Sequence, residues 1–141
     1  MAISRLKAKG RREGGTFVPL PTAILKSENL RTLSPIAKNL FFCLLSQLNF
    51  SEGGAKNNGD LCASFSIANQ WGFGSKATLN KAIKELLERG WIEQTRKVSF
   101  STGERNKPNL YAVTYLAINE CGGKVKQTNS PSSKWSQWTQ K

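Results

Sequence analysis

Apolar residues recur along this chain at two spacings, every third or fourth position in some stretches and every second in others. Ile36, Ala37, Leu40, Phe41, Leu44, Leu45 and Leu48 make a wide stripe at helical spacing. Ser34-Pro35 precedes it, a serine able to cap the first amides and a proline where a missing amide costs nothing. A central core helix is predicted from Ser34 to about Asn49. Phe65, Ala68 and Trp71 predict a second, short helix with Ser64 as N-cap. Gly72-Phe73-Gly74 then supplies a tight turn. Leu79, Ala82, Ile83, Leu86 and Leu87 form the core stripe of a third helix, capped by Ser75 and closed by Gly90 in a left-handed conformation. Alternation replaces this pattern from Trp91 to Phe100 and again from Leu110 to Leu116, where Tyr111, Val113 and Tyr115 alternate with Ala112 and Thr114. The polar run Ser101 to Pro108 lies between them.

Weaker signals fill the remainder. Phe17, Val18 and Leu20 read as a short extended segment, and a brief helix from Pro21 or Thr22 to about Leu30 should carry Ile24 and Leu25 inward. Phe50 to Gly59 is rich in turn residues and is expected to be a loop, and Asp60 to Ala63 reads as a short strand able to pair along the hairpin. The order helix, short helix, turn, helix, hairpin predicts an α+β fold, a winged helix-turn-helix. It has a three-helix core, a β-hairpin wing, an extra N-terminal short helix and flexible tails. The expected organisation is a basic arm over residues 1–15, the domain over 16–120 and a tail over 121–141, whose Gly, Lys, Gln, Ser and Pro content predicts disorder.

Charge narrows the choice of partner. Lys and Arg number 21 against 9 Asp and Glu, a formal charge of +12 with a sequence pI near 10.0 in 141 residues. Such an imbalance favours a polyanion, nucleic acid before an anionic membrane surface. The absence of histidine removes the commonest general base and metal ligand. With no catalytic pair of carboxylates and no phosphate loop, the chain is expected to be no enzyme and to need no cofactor or metal. Gly72-Phe73-Gly74 alone does not make a nucleotide cradle. Cys43, Cys62 and Cys121 are odd in number and widely separated, the pattern of reduced thiols in a cytosolic protein. Cys43 and Cys62 read as small core residues. No apolar run reaches membrane-spanning length, and no secretory signal follows the basic start.

The polar side of the third helix is where recognition chemistry is expected. Lys76, Ala77, Asn80 and Lys81 fall on the half that would face a major groove. Asn80 suits an adenine edge, Lys76 or Lys81 a guanine edge, and the Ala77 methyl a thymine methyl. Ser75, Thr78 and Lys84 suit phosphates. Arg96, Lys97, Arg105 and Lys107 of the hairpin would take backbone or minor-groove contacts. Arg11 and Arg12 of the arm would follow phosphates, unless the arm serves only solubility. Solvation of ordinary surface lysines is the rival reading for each residue. The shared charge sign of helix, hairpin and arm weighs against it.

Several runs carry a resemblance. They are Asn57-Asn58-Gly59-Asp60-Leu61-Cys62-Ala63, Trp71-Gly72, Ser75 to Leu87, Gly90-Trp91-Ile92, Gln94-Thr95-Arg96, Leu110-Tyr111-Ala112-Val113-Thr114 and Ile118-Asn119-Glu120-Cys121. Together they resemble a family of small winged-helix proteins of prophages, plasmids and integrative elements, and more loosely the amino-terminal winged helix of phage and plasmid replication proteins. The resemblance runs from about Phe17 to the tail tryptophans and implies a DNA-binding protein of a bacterial mobile element. It supplies no base-contacting residues. A full initiator would add a second winged domain or an enzymatic one, so a regulator or replication accessory factor of the bacterial cytoplasm is expected, binding double-stranded DNA, with the short helix from Thr22 to Leu30 as the candidate homodimer contact. The rival function is a protein-interaction module in which Trp135 and Trp138 dock on a host or phage protein. Alternatively, these tryptophans fold back on their own domain.

Overall fold

The computed structural model describes residues 16–51, 54–96, 109–121 and 126–139. It is a mixed α+β fold in which two short helices, α1 (Thr22–Leu25) and α2 (Glu28–Arg31), lead into α3 (Pro35–Leu45). A two-stranded hairpin of β1 (Phe50–Ser51) and β2 (Gly54–Ala55) follows, then β3 (Leu61–Cys62), α4 (Phe65–Asn69) and α5 (Lys76–Glu88). The strands β4 (Ile92–Arg96) and β5 (Leu110–Val113) complete an antiparallel sheet of order β3-β5-β4. A 3-10 turn, Lys134–Gln137, lies in the C-terminal segment.

Both long helices start as their sequences dictate. The Ser34 hydroxyl accepts from the Ala37 amide at 3.3 Å, and the Ser75 hydroxyl from the Thr78 amide at 3.1 Å. Glu85 of α5 reaches across to the start of α3, accepting from the Ser34 amide at 2.7 Å and its hydroxyl at 2.6 Å. The two helices are thus tied by a charge-assisted cap as well as by packing. Ser64 stands at the predicted N-cap of α4 but makes no capping bond.

α4 and α5 end alike. Gly72 and Gly90 take φ of +94° and +80°. Phe73 and Trp91, one residue on, donate back to the carbonyls of Ala68 at 3.2 Å and Leu86 at 2.9 Å. Each helix therefore closes in a Schellman motif whose following residue is a buried aromatic. Trp91 is 0% exposed and lies 5.3 Å from the Phe41 ring at a tilted angle. Leu40, Phe41 and Leu44 of α3, with Leu79, Ala82 and Leu86 of α5, pack around it as one core.

Amide side chains finish the sheet. The register Leu61↔Tyr111 would set residue 59 opposite Val113, but the chain turns at Gly59, where φ is +127°. Asn58 supplies what the strand lacks. Its Oδ1 accepts from the Val113 amide at 2.8 Å and its Nδ2 donates to the Val113 carbonyl at 3.0 Å, with further bonds to the carbonyls of Leu116 and Ala117. Gln47 likewise covers the open edge of β3, giving and accepting a 2.8 Å bond with the Cys62 carbonyl and amide. An edge occupied in this way offers no template for another strand.

Several expectations need correction. The expected loop from Phe50 to Gly59 contains the β1–β2 hairpin, and α3 ends at Leu45 rather than near Asn49. The first helix is two, because Ser27 caps a fresh turn by accepting from Leu30, and Leu25 is turned outward at 49% exposure. Leu87, at the border of the α5 stripe, is exposed as well. All of β5 is buried, rather than alternating, because it is the middle strand and further chain covers its second face. The C-terminal segment, predicted to be disordered, is packed over residues 128–138 through contacts described next.

Candidate nucleic-acid interface

α5 divides the molecule between core and solvent. Leu79, Ala82 and Leu86 are buried, whereas Lys76, Ala77, Asn80, Lys81 and Lys84 are all exposed on the other side. Three lysines, one amide and one methyl thus share a face with no carboxylate over its first three turns. Glu85 is drawn inward to Ser34, and Glu88 in the last turn stands 3.9 Å from Lys84. That exposed pair contributes little to stability.

Ser75 and Thr78 sit where α5 begins. Their hydroxyls lie 2.9 Å apart, so one proton is used between them and the other remains to serve an anion. Beside them Asn80 lines a groove of about 280 Å³ with Ala63, Ser64, Ile83, Asn109 and Tyr111. Neither Asn109 nor Tyr111 was expected at this site; only the pairing of β5 with β3 beside α4 brings them there. Burial pushes the Tyr111 hydroxyl pKa up, against hydrogen bonds from Asn109 and Gln94 that lower it.

Arg96 closes β4 opposite Leu110, half-buried rather than extended into solvent like the lysines. Lys97, Arg105, Lys107, Arg11 and Arg12 lie outside the described residues. The structure therefore assembles the helix portion of the predicted set and sets Arg96 at the sheet's end.

The tail tryptophans are far from that face, at the opposite end of α5. Trp135 stacks on Trp91 with ring centroids 5.3 Å apart and planes 11° from parallel. The Arg89 guanidinium lies 4.4 Å from the centre of the Trp138 ring. Asn29, itself buried, joins the pieces. It donates to the carbonyls of Arg89 at 3.0 Å and Trp135 at 2.9 Å, and accepts from the Trp91 indole at 2.9 Å. Ser133 donates to the Thr114 carbonyl at 2.8 Å, while Ser132 and Lys134 meet Glu93. Both tryptophans are therefore engaged with their own domain. The signal that could have marked this is the pairing of an isolated Asn29 with a polar tail still carrying two large aromatics.

Among the described residues no three His, Cys, Asp or Glu side chains gather as a metal site, and no helix is long and apolar enough to cross a membrane. Cys43 is buried with its pKa raised by burial, a core thiol, whereas Cys62, also expected in the core, is only half-buried at the edge strand β3. Comparison of the chain with family models, curated proteins and solved structures finds no match.

Proposed function

We propose that this protein is a winged helix-turn-helix that binds double-stranded DNA. In this reading α3, α4 and α5 are the three helices, the β4–β5 hairpin is the wing, and the role is transcriptional regulation or replication accessory work in a bacterial mobile element. The observation that carries the reading is the face of α5. Lys76, Ala77, Asn80, Lys81 and Lys84 are exposed together, and the helix's own carboxylates are engaged at Ser34 or confined to the last turn. A helix with a buried stripe and a cationic, amide-bearing opposite face fits a major groove, with Asn80, Lys76 and Lys81 reaching base edges and Ala77 a thymine methyl. Ser75, Thr78 and Lys84 would hold phosphates beside the helix start. Arg96, Lys97, Arg105 and Lys107 of the hairpin, and Arg11 and Arg12 of the arm, would add backbone contacts.

Titration of the full chain with duplexes from the promoters and replication origin of its source element, across a salt series, tests this. If about six phosphates are contacted, log K should fall against log salt with a slope near −5. Lys84→Ala should weaken all duplexes alike and lower that slope by about one, whereas Asn80→Ala should cost about 1–3 kcal/mol on the preferred sequence alone. Absence of binding at low salt would refute the proposal.

A further inference from the structure

The outward side of α3 carries a feature that DNA binding does not use. Phe42 is 50% exposed, although its neighbours Phe41 and Cys43 are buried. Two residues, about 200° of helical turn, separate it from both Leu40 and Leu44 of the core stripe. It stands at the edge of a groove of about 210 Å³ between α2 and α3, lined by Leu30, Arg31, Lys38, Phe41 and Phe42. The floor is apolar and the two polar lining residues are both cations. The Lys38 ammonium donates to the Arg31 carbonyl at 3.2 Å, which holds it at the rim. Glu28, the carboxylate of α2, lines a different recess with Trp135 and Trp138.

Size and charge select the occupant. A groove of this volume falls below the roughly 300–1,000 Å³ typical of small-molecule pockets. It suits a single inserted side chain, the way interface anchors are held. A second copy of the chain is disfavoured, since at +12 it would bring like charge to a cationic rim. We infer that the α2–α3 groove docks a partner protein through one aromatic or large aliphatic side chain flanked by carboxylates. The apolar anchor sits against Leu30, Phe41 and Phe42 while its acidic neighbours meet Arg31 and Lys38. Since α3 turns this side away from the core it shares with α5, the protein could hold DNA and such a partner at once; the groove itself stands whether or not DNA is bound.

Selection from a displayed random-peptide library on the full chain at physiological salt, followed by titration of the enriched peptides against the wild type and the Phe42→Ser variant, tests the inference. Phe42 is half-exposed, so its replacement leaves the core intact, and Lys38→Glu on the surface provides an independent second variant. The expected result is enrichment of peptides with one aromatic or aliphatic anchor beside Asp or Glu. Their affinity should fall at least tenfold with either variant, and on titration they should shift amide resonances in residues 30–31 and 38–42. Acidic peptides that bind both variants undiminished, or that shift α5 instead, would show attraction to net charge alone and overturn the inference. So would enrichment of basic or anchorless peptides, or no enrichment at all. Phe42-dependent dimerisation in sedimentation would replace the partner by a second copy and overturn it too.

Discussion

Asn58→Ala tests whether side-chain amides, rather than strand length, hold the sheet together. The wild-type Asn58 is 0% exposed and pairs with both backbone groups of Val113, at 2.8 and 3.0 Å, where β3 has already ended. Alanine leaves the Val113 amide and carbonyl without these partners, and Val113 is itself fully buried, so water cannot replace them without opening the sheet. Each orphaned buried group costs about 1–3 kcal/mol, giving roughly 2–6 kcal/mol for the pair. The bonds to Leu116 and Ala117 are left out because both residues are half-buried and solvent can compensate them. A native stability of roughly 5–15 kcal/mol would survive, much reduced. With a urea m-value of about 1.5 kcal/mol/M, a loss of 3 kcal/mol lowers the midpoint by about 2 M at unchanged slope. The Val113 amide should also lose its hydrogen-exchange protection. Asn58→Asp keeps an acceptor for the Val113 amide but loses the donors and buries a charge, and should do no better. A folded Asn58→Ala protein within about 1 kcal/mol of wild type would refute the reasoning.

Three further outcomes follow from particular contacts. Gly72→Ala and Gly90→Ala both force alanine into a left-handed conformation at about 1–2 kcal/mol. Only at Gly90 would the new Cβ meet another segment, the Lys134 carbonyl at 2.6 Å, so its denaturation midpoint should fall further, and deleting residues 126–141 should erase the difference. Trp135→Ala removes an aromatic stack and uncovers one side of Trp91, which should cost about 1–3 kcal/mol and red-shift tryptophan emission, while Trp135→Phe should retain most of the stability. Tyr115 donates to the Pro19 carbonyl at 2.8 Å, and burial pushes its pKa up to about 12. A folded pKa above the unfolded value near 10 means the protonated form favours the folded state; its contribution is complete below about pH 10 and is lost as pH rises toward 12. Unfolding followed against pH should show that alkaline decline, and Tyr115→Phe should flatten it.

Periodicity made the helices and their faces legible because burial on one side of a helix fixes what the other side presents. Knowing that Leu79, Ala82 and Leu86 are inward is enough to turn Lys76, Asn80 and Lys81 outward, and the structure agrees. The caps Ser34 and Ser75 and the closing glycines 72 and 90 were legible for the same reason, being local chemistry. Contacts between distant segments were not. Asn29 and Trp135 are 106 residues apart, and the Asn58 pairing with Val113 spans 55. Neither leaves a periodic trace. Composition read the tail as disordered because composition counts how little apolar surface a segment has, and two tryptophans on a ready aromatic surface supply more docking area than their number suggests. Lys97, Arg105, Lys107 and the arm lie outside the described residues, so the candidate site stands on its helix.

That helix owes its charge pattern to the fold as much as to its lysines. Residues 76–88 hold three Lys and two Glu, a nearly balanced sequence with no strong field of its own. The imbalance arises when Glu85 turns inward to cap α3, since its two oxygens then face the Ser34 amide and hydroxyl instead of solvent. The first three turns are left with only positive charge and amide donors on the open side. One carboxylate thereby does two jobs that substitution can separate. Glu85→Gln keeps one acceptor and one donor for Ser34, so it should lower stability by only about 1–2 kcal/mol, and, because the removed charge is turned away from the open face, should leave the affinity for DNA nearly unchanged. Replacing an exposed lysine with glutamate should do the reverse, leaving the denaturation midpoint in place while abolishing binding. If Glu85→Gln instead raised DNA affinity severalfold at unchanged salt slope, its charge would be reaching the open face after all, and the division of α5 into a capping side and a reading side would be wrong.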